Sequence, residues 1–109
     1  MNYRVVFYQT PRGDNIVADY IIKLDAATKS KYLRLIDLLQ TYGSHLTMPY
    51  SKRLTPNLFE LRTKGKKSIR VIYTQINQIY ILLHVFQKQT NKTPQKEINT
   101  AESRRLTLV

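Results

Sequence analysis

Six side chains in the second half of this 109-residue chain are of types that do phosphate chemistry: Glu60, Arg62, Arg70, His84, Lys88 and Lys92. Arg62 and Arg70 interrupt runs that otherwise want apolar residues, Leu58-Phe-Glu-Leu-Arg62 and Ser68-Ile-Arg-Val-Ile-Tyr73. A guanidinium presents a planar fork of donors suited to phosphate oxygens. His84 sits inside Ile81-Leu-Leu-His-Val-Phe86 and has the side chain whose charge changes near neutral pH. Lys88 and Lys92 follow at the end of that run and in the loop beyond it. Cleaving RNA requires removal of the 2′-hydroxyl proton, stabilisation of charge on the phosphoryl oxygens and protonation of the departing 5′-oxygen. Clustered cations meet the second need, and they lower the pKa of a neighbouring lysine toward proton transfer. Glu60 is a candidate base or a partner that orients Arg62. The blander readings are an ion pair of Glu60 with an arginine on a wet face, a hydrogen-bonded core histidine, and a solvated basic loop.

The charge balance points the same way. Lys and Arg number 18 against 7 Asp and Glu, a formal net charge of +11. Residues 1–50 carry 6 basic and 4 acidic side chains, and residues 51–109 carry 12 and 3. A field this uneven favours an anionic partner, nucleic acid above all. A basic amphipathic helix, which would favour a membrane surface, is not evident. With no cysteine, disulfides, thiolate chemistry and zinc held by sulfur are excluded. Two histidines, His45 and His84, are too few for a histidine-rich metal site, and no cofactor is called for. The first residues lack a secretory leader's apolar run and no stretch would span a bilayer, so the expected location is cytoplasmic.

One domain, residues 1–109, has to position these groups. Tyr3 to Tyr8 reads as a strand, and Thr10 to Asp14 as a turn with Asp14 capping a helix whose Ile16, Val17, Tyr20, Ile21 and Leu24 fall on one face. Asp25 caps a second helix, about 26–42, with Tyr32, Leu35, Ile36 and Leu39 inward and Gly43 as its stop. Residues 44–57 read as irregular, broken by Pro49 and Pro56, and contain Lys52 and Arg53. Strands are expected at 58–63, 69–75 and 78–86, with Lys64-Gly65-Lys66-Lys67 in the first turn and Asn77 in the second. Thr93 caps a last helix, with Pro94 in its first turn. The expected fold is α+β in the order β-α-α-β-β-β-α, a helical hairpin packed on one face of an antiparallel sheet. Strict alternation puts Tyr80, Leu82, His84 and Phe86 on one side of the last strand. The other face of the sheet, with Glu60, Arg62 and Arg70 and with His84 and Lys88 at its far end, is expected to stay open. Lys52, Arg53, Lys66, Lys67 and Lys92 are the expected further RNA contacts, and Tyr50 and Phe86 are candidates for stacking on a base.

Taken as an ordered set, Leu58-Phe-Glu-Leu-Arg62, Arg70-Val-Ile-Tyr73, Leu82-Leu-His-Val-Phe86 and Lys88 through Lys92-Thr-Pro-x-Lys-Glu-Ile98 with Ala101 and Arg104 resemble the RelE/HigB-type toxins, in particular the phage-derived HigB-like branch. The resemblance covers essentially the whole chain. It implies a RelE-like fold and a ribosome-dependent mRNA endoribonuclease that inhibits translation, with the 2′-hydroxyl as nucleophile and no metal. It also implies a cognate helix-turn-helix antitoxin. By position Arg70 matches the strand arginine at the scissile phosphate, and Lys88 the cation after the last strand. Arg62 and Glu60 belong to the branch's Glu-Leu-Arg motif, and His84 and Lys92 are branch features. Two departures leave the acid and base open: Leu58 and Glu60 stand where other members carry a lysine pair, and no tyrosine follows Tyr80. The alternatives are a ParE-like gyrase inhibitor on the same fold and a non-catalytic RNA-binding module.

Overall fold

The computed structural model describes residues 2–63 and 68–109. Its elements are β1 (Arg4–Phe7), α1 (Ile16–Ile22), α2 (Ala26–Tyr42), β2 (Ser51–Thr55), β3 (Leu58–Arg62), β4 (Ile69–Ile76), β5 (Ile79–Gln87) and α3 (Gln95–Leu106). The class is α+β: one five-stranded sheet, in the order β1-β5-β4-β3-β2, between helices. The hairpin connections β2–β3, β3–β4 and β4–β5 make those pairs antiparallel. The sheet is nevertheless mixed, because β1 pairs parallel with β5, Arg4 opposite Ile79 through Phe7 opposite Leu82. This corrects the expected antiparallel sheet. The chain leaves β1 through two helices, crosses over the sheet and returns at the far edge, so β1 does not close a hairpin with any strand.

β2 is a second difference, since the sequence read as irregular there. Ser51-Lys-Arg-Leu-Thr55 is polar and lies between prolines, which hides it. As the edge strand it needs only one ladder: Ser51, Lys52 and Arg53 pair with Leu61, Glu60 and Phe59. Ser51 is buried and its hydroxyl meets the Tyr73 hydroxyl at 2.6 Å.

The hairpin α1–α2 buries most of the expected stripe, but Ile16, at the start of α1, is 40% exposed. Val17, Ile21, Tyr32, Leu35 and Leu39 pack on Leu61, Val71, Tyr73, Tyr80 and Leu82. Asp25 caps α2, accepting from the Thr28 amide at 3.1 Å. The cap of α1 falls on Asn15 rather than Asp14, whose amide instead bonds the Thr10 hydroxyl. Gly43 ends α2 at φ +54°, and a Cβ there would lie 2.6 Å from the Tyr3 ring.

The opposite face is not left open. α3 covers part of it, Ile98 and Ala101 packing with Tyr8, Leu58, Ile72, Leu83 and Phe86. Which residues point there is set by a β-bulge. Tyr73 pairs with Leu82 but Ile72 with His84, so Leu83 is the extra residue. The bulge breaks the alternation read from the sequence. Tyr80 and Leu82 face the helical hairpin, while His84 and Phe86 join Leu83 on the α3 face, and Val85 turns to the hairpin.

Candidate nucleic-acid site

Cross-strand pairing carries the charged residues into two adjacent rows. Lys52, Glu60, Ile72 and His84 are successive partners across β2, β3, β4 and β5. Arg62, Arg70 and Phe86 form the next row. The two arginines are therefore direct cross-strand neighbours on one face, a placement that like charges tolerate only with an anion between them.

Glu60 is that anion. It is 2% exposed, its Oε1 lying 3.3 Å from Arg70 Nε and 3.8 Å from Arg62 Nε. Its Oε2 accepts a 2.6 Å hydrogen bond from the Thr93 hydroxyl. A carboxylate so enclosed is committed to holding its two arginines. Arg70 is itself buried, at 6%, and donates from Nη1 to the Ile69 carbonyl at 3.2 Å. From the hairpin face the Tyr32 hydroxyl donates to the same carbonyl. Burial pushes the Tyr32 phenol well above its ordinary range, against the pull of Arg70. Arg62 is the more accessible of the pair and reaches outward, Nη1 standing 3.5 Å from Met48 Sδ.

Lys88 completes the group. Its amide bonds the Ser68 carbonyl at 2.6 Å, which continues the β4–β5 ladder by one residue and holds it at the sheet end. Desolvation, and then the charges of Arg70, Arg62 and Lys52, lower its pKa from the ordinary lysine value, with Glu60 opposing. Four cations from β2, β3, β4 and the end of β5 thus share one field. Lys92 is exposed in the loop between β5 and α3, next to the Thr93 that anchors Glu60.

His84 lies in the Glu60 row, but its ring is engaged elsewhere. Nε2 is 2.9 Å from Glu97 Oε1, and Arg104 Nη1 approaches Nδ1 at 3.2 Å while also donating to the Leu83 carbonyl at 2.8 Å. A guanidinium can only donate, so Nδ1 accepts and Nε2 carries the proton toward Glu97. Burial lowers the His84 pKa, and Arg104 adds to this against Glu97. His84 is thereby a neutral clamp between β5 and α3, stacked on Phe86 with ring centroids 5.7 Å apart. Phe86 is 6% exposed and belongs to the core.

Arg53 does not join the cations. It faces the other side of the sheet opposite Phe59, lies over that ring at 5.5 Å, and bonds the Thr55 and Pro56 carbonyls of its own turn. Lys66 and Lys67, with Lys64 and Gly65, fall outside the described residues. Tyr50 is 46% exposed and stays a candidate stacking surface.

Thr93, Glu97 and Arg104 are site residues that no local sequence signal marks as such. Thr93 looked like a helix cap, yet the cap position of α3 is Pro94 and the Thr93 hydroxyl is spent on Glu60. The contact spans 33 residues. Nothing local in the sequence announces it.

Residues 19–106 match the family described as phage derived protein Gp49-like (DUF891). The chain belongs to this Gp49-like family. The family is RelE/toxin-like, which agrees with the α+β class of the fold. No curated protein matches the chain. Among the described residues no helix is long and apolar enough to cross a membrane.

Proposed function

We propose that this protein is the toxin of a type II toxin–antitoxin pair of the HigB-like branch, acting in the cytoplasm as a ribosome-dependent mRNA endoribonuclease. The observation that carries the reading is the convergence of Lys52, Arg62, Arg70 and Lys88 around the buried Glu60. Binding alone does not call for two arginines paired across strands beside a buried carboxylate. A pentavalent phosphorane, with extra charge on its oxygens, does. In this mechanism the 2′-hydroxyl gives up its proton as its oxygen bonds the adjacent phosphorus, the P–O5′ bond breaks, and the departing 5′-oxygen takes up a proton. A 2′,3′-cyclic phosphate remains. Arg62, at the surface, grips the phosphoryl oxygens, while Arg70 adds positive potential from beneath. Lys52 holds the neighbouring backbone. Lys88, its pKa lowered by burial and by the cations facing it, is the group suited to pass a proton to or from the reacting oxygens. Glu60 positions the arginines, and His84 keeps α3 against the sheet. A helix-turn-helix antitoxin is the expected partner.

The test is message cleavage on programmed ribosomes, with ends mapped by primer extension. Arg62→Ala and Lys88→Ala should each cut at least about 100-fold more slowly while unfolding like the parent protein. Arg70→Ala is the poorer probe. Its guanidinium is the near partner of Glu60, so its loss strands a buried charge and destabilises the fold. Wild-type rates in both surface variants would refute the site. Intact message combined with blocked DNA supercoiling would point to a gyrase inhibitor.

A further inference from the structure

A groove of about 320 Å³ opens where α2, the loop before β2 and the end of β3 meet. That is within the size range of small-ligand sites. Lys31, Arg34 and Leu38 of α2 form one wall, at spacings that share a helix face. Pro49 and Tyr50 form the other, and Arg62 closes the end. Its floor is apolar, Lys31 and Arg34 are exposed at the rim, and no carboxylate lines it among the described residues. Apolar walls, an exposed aromatic ring and a cationic rim are the components of a single-stranded nucleic-acid groove: a π-face for a base and positive charge for the backbone on either side. An apolar peptide segment would use the floor and leave the cations idle.

The groove is continuous with the cation cluster through one side chain. Arg62 Nε faces Glu60 at 3.8 Å, while its Nη1 lies 3.5 Å from Met48, beside Pro49. A strand with one phosphate on Arg62 has its next nucleotide at the mouth of the groove. We propose that this groove is a nucleobase subsite. It receives the unpaired base of single-stranded RNA next to the phosphate held by the cluster, stacks it on Tyr50, and directs the following phosphate toward Arg34 and Lys31. The proposal rests on reading the cluster as a phosphate site, and it adds the part of the surface that feels the base.

The probe is a fluorescent 2′-O-methyl trinucleotide, which binds but has no free 2′-hydroxyl to react, beside the same probe with an abasic central position. Anisotropy titrations at fixed low salt compare the wild-type protein, Tyr50→Ala and Tyr50→Phe. Tyr50 is 46% exposed, so truncation leaves the core intact, and an unchanged urea midpoint verifies this. The expected pattern is a roughly 5- to 100-fold weaker intact-probe affinity for Tyr50→Ala and near-wild-type affinity for Tyr50→Phe. The abasic probe should bind all three proteins alike. Equal affinity of Tyr50→Ala and wild type for the intact probe overturns the proposal. So does no measurable binding by wild type, or an equal Tyr50→Ala loss on the abasic probe, which would assign the groove to a partner that is not a base. The ribosomal cleavage assay separates this from the parent reading. Failure to cut message with the Tyr50 pattern intact removes the nuclease and keeps the subsite, whereas normal cutting without that pattern does the reverse.

Discussion

Glu60 is the residue on which the cation cluster stands, and replacing it with alanine has two consequences of calculable sign. Arg70, with a side chain only 7% exposed, would lose its counter-charge while its Nε–H has no hydrogen-bond acceptor among the described residues. Breaking a buried pair from one side costs about 3–5 kcal/mol, a large share of the roughly 5–15 kcal/mol that holds a domain folded. At about 4 °C per kcal/mol for a domain of this size, the melting temperature should fall by about 12–20 °C. Glu60→Gln keeps an acceptor for the Thr93 hydroxyl and should lose less. Glu60→Leu with Arg70→Met removes both charges and should recover most of the loss, because the apolar layer around Ile72 and Phe86 can accept them. The second consequence is electrostatic. Glu60 opposes the cations that depress Lys88, so its neutralisation should lower the Lys88 pKa further. Urea titrations at neutral pH give the first quantity, and NMR titration of the Lys88 side chain in Glu60→Gln gives the second. An alanine variant within about 0.5 kcal/mol of wild type, the range of an ordinary surface substitution, would refute the buried-pair account. A raised Lys88 pKa would refute the shared field.

Three further outcomes follow from residues away from the cluster. His84 has its pKa lowered in the fold, so the unfolded chain takes up its proton first. Its share of stability is full above about pH 6.5 and is lost as the pH falls through the folded value. The urea midpoint should therefore drop between pH 7.5 and 5, and His84→Gln should flatten that dependence; an unchanged slope would contradict the neutral clamp. The Tyr80 hydroxyl is buried with no hydrogen-bond partner among the described residues, so Tyr80→Phe should be neutral or stabilising by up to about 1 kcal/mol in the same titration. Gly43→Ala should destabilise by about 1–3 kcal/mol, since the new Cβ meets the Tyr3 ring at a positive φ, and a loss below about 0.5 kcal/mol would show that the ring moves freely aside.

The helices were legible from their local grammar. The stripe Tyr32, Leu35 and Leu39, the cap Asp25 and the stop Gly43 lie within one element, and each signal acts over a few residues. The hairpin β4–β5 was legible for the same reason, with Asn77 taking the left-handed turn position at φ +57°. β2 was hidden because an edge strand can be polar on its open side, and Ser51-Lys-Arg-Leu-Thr55 carries little of the apolar alternation that marks an inner strand. The parallel placement of β1 was hidden because it depends on where two helices return the chain.

Residue types and their order, read alone, determined that this chain is a small α+β domain with its positive charge gathered in residues 51–109. They also determined which side chains of β3 and β4 share a face, because alternation is a local property of extended backbone. Only the tertiary structure decided that a bulge at Leu83 turns His84 toward α3, that Glu97 and Arg104 then hold its ring, and that Thr93 and Arg70 enclose Glu60. The physical reason is one of range. Propensity and capping act over a turn or two, whereas the pairing of a buried carboxylate with its arginines depends on strand register, and register is set by the packing of the whole sheet between its two helical layers.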